Sequence, residues 1–166
     1  VGGGTMAEAL MGGVLAAKLA RPDEISVGEP VGLRREYLAE RYGVGTHAEN
    51  YAAVADADLV LLAIKPQDLP AVAQGLKKQL KPNQAALSII AGAKMSTLMD
   101  GLGHSAIIRV MPNTPAQIGY GMSMWTCTPQ VDPAQRALTQ SILATVGQEI
   151  YVDDEKYLDM ATALSA

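Results

Sequence analysis

The chain has 166 residues, 49% of them hydrophobic, enough for one domain with a substantial core. Its formal net charge of -4, with the basic residues scattered, argues against nucleic acid or an anionic membrane as partner. A single cysteine, Cys127, excludes an internal disulfide framework, no His/Cys cluster suits a metal, and neither a membrane span of roughly 18 apolar residues nor a signal peptide is present, so a cytoplasmic location is expected.

The first seven residues, Val1-Gly2-Gly3-Gly4-Thr5-Met6-Ala7, form a G-x-G-x-x-A turn that runs directly into a helical stretch over residues 7–19. A chain passing from a buried strand to a helix in so few residues needs a backbone free of Cβ clashes. Gly2 suits the tight turn, Gly4 the close approach of backbone to a diphosphate, and Ala7 the packing of helix on strand. The first N–H groups of that helix lack intrahelical partners, and with the positive end of its dipole they are suited to hold phosphates. Three consecutive glycines also occur in ordinary loops, and it is the alternation of strands and helices downstream that gives the motif its required context. Only Val1 precedes the glycines, so the chain reads as part of a longer protein.

Residues 25–27 predict a second strand, ending at Gly28-Glu29-Pro30. Glu29 stands near the spacing at which an acid accepts from the ribose 2'-hydroxyl of NAD, whereas Arg34 and Arg35 just beyond it are suited either to the 2'-phosphate of NADP or to the solvent face of a helix over residues 33–42. That helix stops at Gly43. A minimal strand follows at residues 44–46, and Asn50 is a natural N-cap for a short helix over residues 51–55, or a group that faces the cofactor from a loop. Residues 59–64 form the clearest strand, apolar throughout as in a parallel sheet covered on both faces. It ends in Lys65-Pro66-Gln67, so Ala63, Ile64, Lys65 and Pro66 point beyond a carboxyl end, where α/β sheets bind ligands, although a lone lysine there also reads as a surface charge.

Residues 69–80 predict an amphipathic helix, residues 85–90 a buried strand ending in the small pair Ala91-Gly92, residues 95–102 a helix and residues 106–110 a further strand. The stretch Met111-Pro112-Asn113-Thr114-Pro115-Ala116 follows. Its two prolines belong to neither a helix nor a central strand and fix a rigid loop. That loop either presents the Asn113 amide and Thr114 hydroxyl to a ligand or is a turn satisfying its own backbone. A strand at residues 121–125 with Trp125 in the core, a helix from Asp132-Pro133 to residue 146, a strand at residues 148–152 and a helix from Glu155 to the chain end complete the pattern. Cys127 reads as a small buried hydrophobe.

Together the glycine turn, the Ala63-Ile64-Lys65-Pro66-Gln67 strand end, the Ser88-Ile89-Ile90-Ala91-Gly92 strand, the MPNTPA loop and the closing Asp159-Met160-Ala161-Thr162-Ala163-Leu164-Ser165 resemble pyrroline-5-carboxylate reductase. The resemblance spans essentially the whole chain, and the MPNTPA loop is its most specific part. It implies an NAD(P)H-dependent enzyme that reduces 1-pyrroline-5-carboxylate to L-proline, with a doubly wound, mostly parallel α/β Rossmann domain over residues 1–152. It further implies that residues 153–166 begin an interdomain helix leading to a helical domain that dimerises and completes the active site, so that the parent protein is a homo-oligomer. Carried over by position, the cofactor contacts fall on Val1, Gly2, Gly3, Gly4, Thr5 and Met6 at the diphosphate, Glu29 at the adenine ribose, Asn50, Ala63 to Pro66, and Ala91-Gly92, with Asn113 and Thr114 bordering nicotinamide and substrate. Thr5 replaces the polar amide common in the turn, and Glu29 stands where many members carry a small or neutral residue, which leaves NADP against NAD open. The competing readings are another two-domain Rossmann reductase of the β-hydroxyacid or prephenate dehydrogenase type, and a non-catalytic NAD(P)-sensing module. The reaction asks the protein for positioning rather than nucleophilic catalysis.

Overall fold

The structure, a computed structural model, describes residues 1–165, with side chains through Thr162. Ala166 and the side chains of the last three residues of the closing motif lie outside the described residues. Among the described residues seven α-helices alternate with seven strands, except that β6 follows β5 directly: α1 (Thr5–Ala16), β1 (Ser26–Gly28), α2 (Gly32–Tyr42), β2 (Gly45–His47), α3 (Asn50–Val54), β3 (Leu59–Leu62), α4 (Leu69–Leu76), β4 (Ala85–Ser88), α5 (Met95–Leu102), β5 (Ile107–Pro112), β6 (Gly121–Cys127), α6 (Pro133–Ala144), β7 (Gly147–Tyr151) and α7 (Lys156–Ser165).

The strands lie in the orders β1-β2 and β3-β4-β5-β6-β7, parallel throughout except for β5-β6. Val1 and Gly2 join the two sets. The Val1 amine donates to the Leu61 carbonyl at 2.8 Å and the Val1 carbonyl accepts from the Ala63 N–H at 2.9 Å, while the Gly2 N–H donates to the Gly28 carbonyl at 2.8 Å. Val1 is thus bonded to β3 as a strand residue, and Gly2 reaches across to β1. Alongside lies a cavity of about 720 Å³ with Val27 of β1 on one wall, Val60 and Leu61 of β3 on the other, and Leu10, Val14 and Leu143 from the helices.

β4 is buried throughout and β5 over its first four residues, because helices cover both faces of the sheet. Leu10 of α1 and Leu143 of α6 pack with Leu87, Ile108, Val110 and Trp125 on one side. Leu76 of α4 and Leu98 and Leu102 of α5 pack with Val60, Leu62 and Ile107 on the other. Met11, Val27, Leu38 and Val44 form a smaller cluster that seats α2. This is the doubly wound arrangement expected of an α/β sheet whose strands are nearly all apolar.

Local chemistry sets the ends of the elements. Gly43 closes α2 in the left-handed region at φ +71°, as expected. Asp132 caps α6 by accepting from the Gln135 N–H at 2.8 Å while the Gln135 side chain accepts from the Asp132 N–H at 3.0 Å, a reciprocal capping box. Three expectations are corrected. Glu49 is the N-cap of α3 and Asn50 its first residue. The helix expected over residues 69–80 ends at Leu76, because Lys78 turns left-handed and gives its N–H to the Leu102 carbonyl at the end of α5. Pro112, excluded from a central strand by its missing N–H, is the last residue of β5 and pairs with Ser123, a position at which the ladder ends.

Candidate functional site

The carboxyl ends of Val1-Gly2, β1, β2, β3, β4 and β5 converge on one edge of the sheet, and every candidate residue except those within the turn itself sits on a segment leaving that edge. Gly2 has φ +87°, and a Cβ on it would lie 2.5 Å from the Ala63 carbonyl oxygen and 3.0 Å from the Ile64 side chain. Only glycine lets the first strand residue pass so close to the end of β3. Gly3 is buried; its N–H donates to Glu29 Oε2 at 2.9 Å, and its carbonyl accepts from Arg34 Nε at 2.6 Å. Gly4 is the N-cap of α1, exposed, with nothing within 4 Å of where its Cβ would be.

No side chain caps α1. Its first N–H groups, beginning at Thr5, Met6 and Ala7, therefore open on a space that the missing Gly4 side chain leaves clear. This fits an extended diphosphate: backbone donors, the positive end of a twelve-residue helix and no Cβ to hold the oxygens away. Met6 turns inward against the core cluster of α1 and α6, which fixes the helix start on the sheet.

Around the turn the neighbouring strand ends supply walls. Glu29 follows β1, its N–H bonded to the His47 carbonyl and its side chain folded back toward Gly3. The Asn50 side-chain oxygen lies over Gly28, so close that a Cβ there would be 2.5 Å from it. Asn50 thus packs against the residue that accepts from Gly2, although not as the expected cap. Ala63 and Ile64 border Gly2 directly, while Lys65 is exposed and caps a 3-10 turn, Pro66–Asp68, through its backbone. Ala91 and Gly92 are exposed beyond β4, with Gly92 left-handed at φ +73° and open space about it.

The loop after β5 is a 3-10 turn, Thr114–Ile118, and it packs against α1 with Ala116 buried beside Met6 and Leu10. The Asn113 side-chain oxygen accepts from the Met122 N–H at 2.9 Å, and its carbonyl accepts from the Ala116 N–H at 3.1 Å. Of the two readings of this loop, the self-satisfying turn describes the Asn113 oxygen. The Asn113 amide nitrogen and the exposed Thr114 hydroxyl are the groups that remain to meet a ligand.

Two charged clusters escaped the sequence reading. Glu8 of α1 is a hub: its carboxylate accepts from Arg34 Nη2 and from the phenols of Tyr37 and Tyr42. Burial pushes its acidity the other way, but the three donors outweigh it and hold the carboxyl below the usual glutamate range. Arg109, buried within β5, pairs with Glu155 and Asp159, both at 2.7 Å. A signal for the first was present in Glu8 one turn into a helix facing an arginine-rich α2; the second joins residues 46 and 50 positions apart and left none.

An open, mostly parallel sheet wound on both faces, with a glycine turn and an uncapped helix start at the carboxyl edge of its strands, defines a Rossmann-type dinucleotide-binding domain. The chain belongs to the family described as NADP oxidoreductase, coenzyme F420-dependent, whose model matches residues 1–92. Over 99% of its length it is similar to the pyrroline-5-carboxylate reductases of Synechocystis, at 39% identity, and Pseudomonas aeruginosa, at 38%. It also matches the structure of a pyrroline-5-carboxylate reductase from Coxiella burnetii with a TM-score of 0.93 at 32% identity, covering 99% of this chain and 62% of that one. The chain spans 61% and 60% of the length of the two curated relatives.

Proposed function

We propose that this chain is the cofactor-binding portion of a pyrroline-5-carboxylate reductase, which reduces the ring imine of 1-pyrroline-5-carboxylate to L-proline with NAD(P)H. The observation that carries the reading is the convergence of the glycine turn, the end of β3 and the 113–118 loop on the start of α1, in a chain alike to such reductases from end to end. When bound, the reduced nicotinamide supplies the hydride. Val1, Gly2, Gly3, Gly4, Thr5, Met6 and Ala7 hold the diphosphate; Glu29 and Asn50 flank the adenine ribose; Ala63, Ile64, Lys65 and Pro66, with Ala91 and Gly92, line the path toward the nicotinamide.

Asn113 and Thr114 border the reacting carbon, where they orient the substrate ring. Among the described residues no buried carboxylate, histidine, lysine or cysteine stands at this edge, and the contribution of Asn113 and Thr114 is alignment of hydride donor and imine. Residues 1–152 form the dinucleotide-binding domain and residues 153–166 begin a connecting helix, and the part of the protein beyond this stretch completes the substrate pocket and brings protomers together as a homo-oligomer. A cytoplasmic location belongs to the same reading. Among the described residues, no helix is long and apolar enough to cross a membrane.

The test compares two proteins. Residues 1–166 should enhance the fluorescence of the reduced dinucleotide on titration yet oxidise it negligibly with 1-pyrroline-5-carboxylate, while the full-length protein should do both. Absence of binding by either removes the reading; full turnover by residues 1–166 alone removes the division of labour between domains.

A further inference from the structure

The ribose end of the site carries an arrangement of charge that the family description does not convey. Glu29 is fixed by four bonds: its own N–H donates to the His47 carbonyl at 2.9 Å, its carbonyl accepts from Arg35 Nη1 at 2.8 Å, and Oε2 accepts from the Gly3 N–H and Oε1 from the Val31 N–H, both at 2.9 Å. A carboxylate so held cannot swing aside without leaving the Gly3 amide, in the middle of the phosphate turn, without its acceptor.

The two nearby guanidiniums are bonded to acceptors other than this carboxylate. Arg34 donates through Nε to the Gly3 carbonyl at 2.6 Å and through Nη2 to Glu8 at 2.5 Å, where it stacks beside the Tyr37 ring. Arg35 donates through Nη1 to the carbonyls of Glu29 and Pro30, both at 2.8 Å. Each guanidinium serves to hold the chain around Glu29.

We propose that Glu29 makes this site select a dinucleotide with a free ribose 2'-hydroxyl, NADH, over the 2'-phosphorylated form, NADPH. A hydroxyl is a donor that a carboxylate accepts, and the spacing of Glu29 from the turn places it for that bond. A 2'-phosphate is acceptor-only and brings a further charge of about -1.5 to -2, which meets a fixed like charge, with Arg34 already paired to Glu8 and Arg35 tied through Nη1 to two backbone carbonyls. Discrimination thus comes from an added repulsion as well as a matched bond. The inference rests on the reading above that the glycine turn holds a dinucleotide.

The experiment measures dissociation constants of NADH and NADPH for the full-length protein by nicotinamide fluorescence at one fixed salt concentration, in the wild type and in Glu29→Gln, Glu29→Ser and Arg35→Ala. The wild type should bind NADH at least about tenfold more tightly. Glu29→Gln keeps an oxygen for one of the two N–H donors while removing the charge, and should bring the two constants close together, chiefly by tightening NADPH; Glu29→Ser should do the same. Arg35→Ala should leave the ratio unchanged. Equal or tighter binding of NADPH by the wild type overturns the proposal and leaves the dinucleotide site standing. So does a Glu29 variant that weakens both nucleotides in proportion, which marks Glu29 as a prop for the turn, or an Arg35→Ala variant that loses NADPH selectively. Failure to bind either nucleotide overturns the site itself.

Discussion

A Cβ on Gly2 would sit 2.5 Å from a carbonyl oxygen in a backbone already at φ +87°, while a Cβ on Gly4, two residues later, would meet nothing within 4 Å. The two positions therefore separate what the turn needs to fold from what it needs to bind. Gly2→Ala combines an unfavourable backbone region with a clash against the end of β3, and should lower stability by about 2–4 kcal/mol. Gly4→Ala has an ordinary extended conformation, φ -70° and ψ -178°, and should cost under about 1 kcal/mol of folding stability as a poorer N-cap. Its new methyl group nonetheless occupies the space assigned to the diphosphate, so dinucleotide affinity should fall about tenfold or more. Denaturant unfolding and nucleotide titration of both variants check the pair. A Gly4→Ala protein with undiminished affinity would show that the diphosphate lies elsewhere. The sequence made Gly2 and Gly4 readable because the G-x-G spacing is a local, backbone-level constraint. The burial of Gly3 and its bond to Glu29 were not readable, since they depend on where β1 sets Glu29, 26 residues on.

Among the elements, β5 shows why one part of the site was legible and its neighbour was not. Residues 106–110 read as an apolar strand, and the prolines after it as a rigid loop, both from local propensity. Arg109 in the middle of that strand gave no indication that it was buried at 3% exposure, because its partners come from α7. One of them, Glu155 Oε1, also accepts the Met95 N–H at the start of α5, so a single carboxylate links α5, β5 and α7. Removing the guanidinium by Arg109→Ala leaves two carboxylates without their cation and a void in the sheet. Unfolding free energy should drop by about 2–3 kcal/mol, below the range for a fully enclosed pair because the Asp159 carboxylate is 47% exposed to water. Arg109→Met restores the volume but not the charge and should recover part of that loss. Hydrogen exchange should rise in α7 before it rises in β4; uniform destabilisation without preferential release of α7 would count against the tie.

For the molecule as a whole, the alternation of apolar strands with amphipathic helices made the doubly wound class legible, since each face of the sheet demands its own layer of helices. It did not reveal that the layers cover the sheet unequally. Arg109 pairs in register with Thr126, and Met122 and Met124 continue the same face along β6, with Ile150 of β7 opposite Met124. The α7 helix lies over the Arg109 end of this face, yet Met122 is 45% and Ile150 43% exposed, and Met160 on α7 itself 57%. Beside them the Tyr120 side chain stands out at 81%. A strip of large apolar side chains on a sheet face is a contact surface awaiting cover, and isolated in water it drives association. A polypeptide of residues 1–166 should therefore gain average mass with concentration in sedimentation experiments. The edge strand β7 offers a second route, by backbone pairing, and charge on the face distinguishes them. The double variant Met122→Lys with Ile150→Lys should keep the polypeptide monomeric at concentrations where the parent associates, with nucleotide affinity unchanged because Met122 holds Asn113 only through its backbone N–H and carbonyl, which lysine keeps. Association that persists in this variant assigns the contact to the β7 edge, and a parent that stays monomeric throughout shows the strip to be inert.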